Sequence, residues 1–161
     1  MTKPCGDMIT SLTNLPEVPT MAKGVQLKRA LSIDRQRILQ FIQENFGDGW
    51  RNEAETTLAS CPSRCVLAVK GEQIIGFACW DATAKGMFGP IGVTEACRGT
   101  GVGSALLLRA LAYMRDEGYA YAVIGWVTDA APFYEKLLGA TFIPGGEPRR
   151  SVYSQLVKAC W

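Results

Sequence analysis

The chain of 161 residues contains no histidine. That absence removes several mechanisms at once: Ser-His-Asp and Cys-His nucleophile activation, histidine metal ligation, and an imidazole base that titrates near neutral pH. No apolar run approaches the ~20 residues needed to span a bilayer. Charge of one sign is also missing. Lys and Arg number 17 against 15 Asp and Glu, a net charge of +2, so neither nucleic acid nor an anionic membrane is expected as a partner. The N-terminal stretch "MTKPCGDMITSLTNLPEVPTMAKG" has no apolar core of a signal peptide and no arginine-rich amphipathic helix of a transit peptide. Residues 1–24 are therefore expected to be an irregular lead-in, broken by Pro4, Pro16 and Pro19, that lies against the domain or a neighbouring chain. Met21 is a second candidate start.

Cysteine is present six times, as Cys5, Cys61, Cys65, Cys79, Cys97 and Cys160. Without a secretory signal, the expectation is reduced thiols in a cytoplasmic protein. Cys61 and Cys65 resemble half of a metal site, but no second pair has ligand spacing, and no metal is expected. Apolar residues at 48% and charged residues at 20% are ordinary for one globular domain with one core. That domain is expected over residues 25–161, without internal repeats.

The elements follow from periodicity. "VQLKRAL" (25–31) alternates as a strand. Ser32 is a candidate N-cap and Asp34 a first-turn acid for a helix marked by Ile38, Leu39, Ile42 and Phe46 and stopped at Gly47. Residues 49–60 suggest a short second helix. "CVLAVK" and "IIGFACWDA" are strands joined by the turn "GEQ". "MFGPIGV" (87–93) is a poor strand, because Pro90 lacks a ladder N–H and Gly89 and Gly92 weaken it; it is expected at an edge or with a bulge. Leu106, Leu107, Ala110, Leu111 and Met114 mark one face of a helix ending at Gly118. "YAVIGWV" (121–127) is a buried strand. Asp129 is a candidate cap for a helix holding Pro132, Phe133, Tyr134 and Leu137, with Gly139 after it. "TFIP" and "SVYSQLV" are expected to close the fold as a strand pair. The order β, α, α, β, β, β, α, β, α, β, β predicts an α/β mixed sheet with helices against it.

The informative stretch is "ACRGTGVGSALL" (96–107). It places Gly99, Gly101 and Gly103 between a strand and a helix, directly after Arg98. The first-turn N–H groups of a helix have no intrahelical partner and carry the positive end of the dipole. Glycines let those groups reach an anion, so a phosphate or pyrophosphate is the natural guest. The dinucleotide fingerprint fails because Leu106 stands where its last glycine would fall, and the P-loop fails because no lysine follows. A plain flexible connector is the alternative.

"RGTGVG" (98–103) resembles the arginine-x-x-glycine-x-glycine motif of the GNAT superfamily, the GCN5-related N-acetyltransferases. The resemblance continues in "GPIGV", similar to the family's bulged fourth strand, in "DAAPFYEKLLGATF" (129–142), similar to its second motif, and in the hairpin "CVLAVKGEQIIGFACWDA". It spans roughly residues 25–157. It implies a single-domain GNAT fold whose mostly antiparallel sheet splays between the family's strands four and five. It also implies acetyl-CoA as cosubstrate, held through Ile91, Val93, Arg98, Gly99, Thr100, Gly101, Val102, Gly103, Ser104, Asp129 and Phe133, and direct attack of a primary amine with Tyr134 as the acid for the leaving sulfur. Packing beside Phe133 is the alternative for Tyr134. For the general base, Glu44, Asp48, Glu53, Asp81 and a water relay stay open. Trp50 and Trp80 either wall the acceptor site or complete the core. Cys97 is expected to be a bystander. A small-molecule amine is the expected acceptor, and a homodimer is left open. A non-catalytic acyl-CoA-binding module and a transferase for longer acyl groups are the alternatives in function.

Overall fold

A computed structural model describes residues 3–159. Along them run β1 (Gly6–Ser11), β2 (Val25–Arg29), α1 (Arg35–Phe46), α2 (Asp48–Leu58), β3 (Cys65–Lys70), β4 (Gln73–Trp80), β5 (Met87–Val93), α3 (Val102–Asp116), β6 (Tyr121–Val127), α4 (Ala131–Leu138) and β7 (Thr141–Phe142). The strands form one sheet in the order β2-β3-β4-β5-β6-β1-β7. Every neighbouring pair is antiparallel except β5 and β6, which are parallel. This is the mixed α/β, single-domain architecture expected, with helices on both faces.

Side chains alternate across a strand, so each central strand feeds two cores. Cys65, Leu67, Phe77 and Cys79 pack with Ile38, Ile42 and Leu58 of α1 and α2. Val66, Ala68, Ala78 and Trp80 pack on the other face with Leu106, Leu107, Leu111 and Met114 of α3. Each fully buried leucine contributes roughly 1.5–3 kcal/mol, and α3 buries Leu106, Leu107, Leu108 and Leu111. A Schellman motif ends α3: Gly118 N donates to Arg115 O (2.9 Å) and Tyr119 N to Met114 O (3.1 Å). No helix among the described residues is long and apolar enough to cross a membrane.

Cys5, Cys61, Cys65, Cys79 and Cys97 are free thiols, whereas Cys160 lies outside the described residues. Cys65 and Cys79 face each other across β3 and β4. The Cys79 neighbour, together with burial, pushes the Cys65 thiol well above its usual value, so it stays protonated within the core. Cys61 is exposed while Cys65 is buried, and no metal-holding cluster forms among the described residues.

Several local expectations change. The lead-in is not irregular throughout: Gly6–Ser11 forms β1, buried between β6 and β7. Ser32 does not cap α1, which starts at Arg35 behind a single 3-10 turn over Ser32–Asp34. Asp129 does not cap α4. Ala130 takes that position without a side-chain bond, and Asp129 instead pairs with Lys3 at 3.0 Å, both largely exposed, a contact of little energetic weight. The closing strand pair is absent. Thr141–Phe142 pairs with β1, and Val152–Gln155 is a 3-10 turn.

The weak strand β5 is central rather than at an edge, and it carries a bulge. Trp80 pairs with Phe88 and Ala78 with Ile91, so Gly89 and Pro90 together oppose Cys79. A second bulge stands opposite on β6. Met8 pairs with Ile124 and Gly6 with Val127, so Gly125 and Trp126 together oppose Asp7, and Trp126 adopts φ +46°. β5 and β6 pair only at Met87–Val123 and Phe88–Ile124. Both bulges begin at the next residue, and each bends its strand there. The two strands therefore part.

Asp7 holds the second bulge. Trp126 N donates to Asp7 Oδ1 at 2.9 Å. Burial pushes the Asp7 carboxyl above the usual carboxylate range, against the bond from Trp126 N and the Ser151 hydroxyl, which favour ionisation. A folded-state pKa raised in this way adds stability below the unfolded value of ~3.9, and that contribution is lost as pH rises through the folded value. Asp7→Asn keeps an acceptor without the charge. Its melting temperature relative to wild type should therefore improve between pH 4 and pH 7, while Asp7→Leu, which removes the carboxyl acceptor of the Trp126 N–H, should lose ~1–3 kcal/mol at pH 4. A relative melting temperature for Asp7→Asn that worsens with pH would show that the charged form is the stabilising one.

Candidate active site

Where the strands part, a cleft of about 1140 Å³ opens, lined along its length by Gly89 to Val93 of β5 and by Ile124 to Val127 of β6. Elements from both faces of the sheet reach it. Arg98, Gly103, Phe133 and Tyr134 arrive from the α3 and α4 side, and Trp50 and Glu53 from α2 on the other.

At one end is the glycine loop. Gly99 and Gly101 take φ of +75° and +86°, the left-handed region that side chains disfavour. Thr100 Oγ1 donates to Cys97 O at 2.5 Å and pins the turn. Arg98 Nε donates to Val93 O at 3.3 Å, which holds the guanidinium where β5 ends. Ala105 N closes the first helical bond on Gly101 O, so the N–H groups of Val102, Gly103 and Ser104 are those a helix leaves without an internal acceptor. A Cβ at Gly103 would meet only Val93 Cγ2 at 3.8 Å; the space it would fill is cleft. Bare amides, a helix N-terminus and a guanidinium at one open mouth fit a phosphate-bearing guest.

Midway stands Tyr134. It is buried, edge-on to Phe133 with ring centres 5.2 Å apart, and burial pushes its phenol up to about 12. It therefore keeps its proton at every physiological pH and faces the cleft as a donor.

At the other end, Thr83 donates to a carboxylate oxygen of Glu53. The loop that carries Thr83 is braced by Asp81, whose Oδ1 accepts from Gly86 N (2.8 Å) and whose Oδ2 accepts from the Tyr119 hydroxyl (2.5 Å). Tyr153 leans over β6 so closely that a Cβ at Gly125 would sit 2.1 Å from its hydroxyl; only glycine fits there. Its ring lies 5.0 Å from that of Trp126. Burial first, then the neighbouring Glu53 charge, push its phenol up to about 12.

Of the residues expected at the site, Ile91, Val93, Arg98, Gly103, Phe133 and Tyr134 line the cleft. Gly99, Thr100, Gly101 and Ser104 shape the loop from outside the lining, and the Val102 side chain is in the core, so only its backbone faces outward. Asp129 stands outside the lining. Among the candidate bases, only Glu53 reaches the cleft. Glu44 and Asp48 are exposed and bonded to Gln40 and Gln43, and Asp81 is consumed in bracing. Trp80 is fully buried in the core, whereas Trp50 lines the cleft. Thr83, Trp126 and Tyr153 carried no signal in the sequence, since the turn holding Tyr153 reads locally as a strand.

The model of the acetyltransferase (GNAT) family matches residues 35–140. No curated protein matches the chain. Among solved structures, the fold is similar to the GCN5-related glucosamine N-acetyltransferase region of a fungal multi-domain GH3 β-N-acetylglucosaminidase (TM-score 0.69, 15% identity, covering 85% of this chain and 19% of that one). It is also similar to GCN5-related N-acetyltransferases from Sphaerobacter thermophilus (0.67, 19%, covering 87% and 48%) and Kribbella flavida (0.60, 19%, covering 87% and 54%). The chain thus spans from a fifth to about half of the length of these structures.

Proposed function

Since the chain belongs to the GNAT acetyltransferase family, we propose that it moves the acetyl group of acetyl-CoA to the primary amine of a small molecule. The observation that carries this reading is the cleft between the parted strands, with the glycine loop at one mouth and a carboxylate at the other. When bound, acetyl-CoA supplies a thioester whose acyl carbon is electrophilic. Arg98 and the amides opening α3 hold its pyrophosphate. Beyond Phe88, β5 has no strand partner on its β6 side, so backbone groups near Ile91 and Val93 take the amides of the pantetheine arm.

An alkyl ammonium, with pKa near ~10.4, must shed a proton before its nitrogen can attack. Glu53 and water at the same end of the cleft receive it. The nitrogen–carbon bond forms and the carbon–sulfur bond breaks. The Tyr134 hydroxyl passes its hydrogen along a hydrogen bond to the departing sulfur, and the second nitrogen proton, lost as the amide forms, returns to Tyr134, so that the products are the amide and the CoA thiol. No residue of the chain is acylated.

An amine library assayed for free CoA thiol tests the reading. Thiol release dependent on at least one small amine is expected. Acetyl-CoA binding measured by calorimetry, with no release from any amine, would replace transfer with a binding role.

A further inference from the structure

Of all the residues lining the cleft, only Arg98 and Glu53 carry charge, and they stand at opposite ends of β5. Arg98 is tied to Val93, the last residue of the strand. Glu53 is tied to Thr83, ahead of Met87, the first. The cleft is therefore bipolar. The neighbours of Glu53 differ from those of Glu55 and Glu117. Glu55 holds Arg35 and Arg51, and Glu117 holds Arg29 and Arg64, but among the described residues no cation pairs with Glu53. Its partner is a hydroxyl, which leaves a half-buried negative charge unneutralised. Such a charge gains most from a cation brought by a ligand.

Around the carboxylate the lining is aromatic. Trp50 is one helical turn before Glu53 on α2, and Trp126 and Tyr153 stand against each other on β6 and the turn after Ser151. Ring faces attract a cation and accept a flat apolar body. They do not accept a second hydrated charge, and Arg98 repels one at the far mouth. On the transfer reading of this cleft, we propose that Glu53 selects the acceptor: a small amine with one positive charge on an apolar, flat body, its ammonium on the Glu53 carboxylate and its body among the rings of Trp50, Trp126 and Tyr153.

The test uses phenethylamine as the probe, phenethyl alcohol as its uncharged counterpart and spermidine as a polycation, each titrated calorimetrically into the full chain with CoA present. Glu53→Gln keeps the size of the side chain and an acceptor for Thr83. It should weaken phenethylamine about thirtyfold, as expected for the loss of a charge-assisted bond, and leave phenethyl alcohol and CoA unchanged. Trp50→Leu, at a position already 39% exposed, should weaken both phenethyl compounds alike. Equal phenethylamine binding by wild type and Glu53→Gln overturns the proposal. So does tighter binding of spermidine, or no saturable phenethylamine binding to wild type. If phenethylamine binds through Glu53 yet no thiol is released from acetyl-CoA, the ammonium site stands and the transfer reading falls.

Discussion

Tyr134→Phe should lower kcat about a hundredfold, with acetyl-CoA affinity and melting temperature close to wild type. The substitution removes one hydroxyl from a ring packed edge-on against Phe133 and leaves the ring in place. General acids contribute typically ~10²–10⁴-fold, and the lower end applies here for a reason the cleft supplies. A thiol has a pKa near ~8.5 in water, while the Tyr134 phenol is pushed up to about 12 by burial. Full proton transfer to the sulfur would run uphill in water. The same apolar surroundings raise the thiol as well, which narrows the gap and makes a strong hydrogen bond to the developing thiolate the main contribution. With the phenol so high, Tyr134 should produce no descending limb in kcat/KM up to about pH 10. Full activity in the phenylalanine variant would return Tyr134 to the core. A descending limb that vanishes with the hydroxyl would mean a phenol far more acidic than its burial allows.

On the proposed binding mode, valine at Gly103 should weaken acetyl-CoA by ~1–3 kcal/mol, about 5- to 150-fold in Kd, by covering amides that open α3. This position is the cleaner of the two probes in the loop. Gly103 has ordinary helical φ and only Val93 within reach of a new Cβ, so the fold should tolerate the branch. Valine at Gly101 should weaken binding as much, but φ of +86° there adds ~1–2 kcal/mol of backbone strain, which lowers the melting temperature. Calorimetry showing unchanged affinity in both variants would reduce the loop to a connector.

Much of this site was legible because its determinants are close in sequence. The loop, the helix face from Leu106 to Met114 and the Gly89–Pro90 irregularity each lie within a few turns or one strand, where residue type and spacing control backbone conformation directly. Gly89, Pro90 and Gly92 mark β5 as irregular but leave an edge and a bulge both open; the sheet order decides for the bulge. Where local signals misled, a distant partner outweighed them. Asp129 has the chemistry of a cap but lies beside Lys3. Asp7 is a buried acid in a segment that reads as loop, and it is tolerated there because a backbone N–H from Trp126, 119 residues away, meets it.

What the sequence by itself determined is the class of the fold and the glycine loop that opens α3, since short-range periodicity and glycine placement act through the chain's own backbone. The tertiary structure alone decided which acid faces the cleft, why the strands part and what surrounds the acceptor end. Glu53, Thr83, Trp126 and Tyr153 come from four elements, and only the packing of α2 on one face, β1 against β6 and the final turn across Gly125 brings them together. Loop closure over such separations is governed by the summed burial of two cores, which no local spacing encodes.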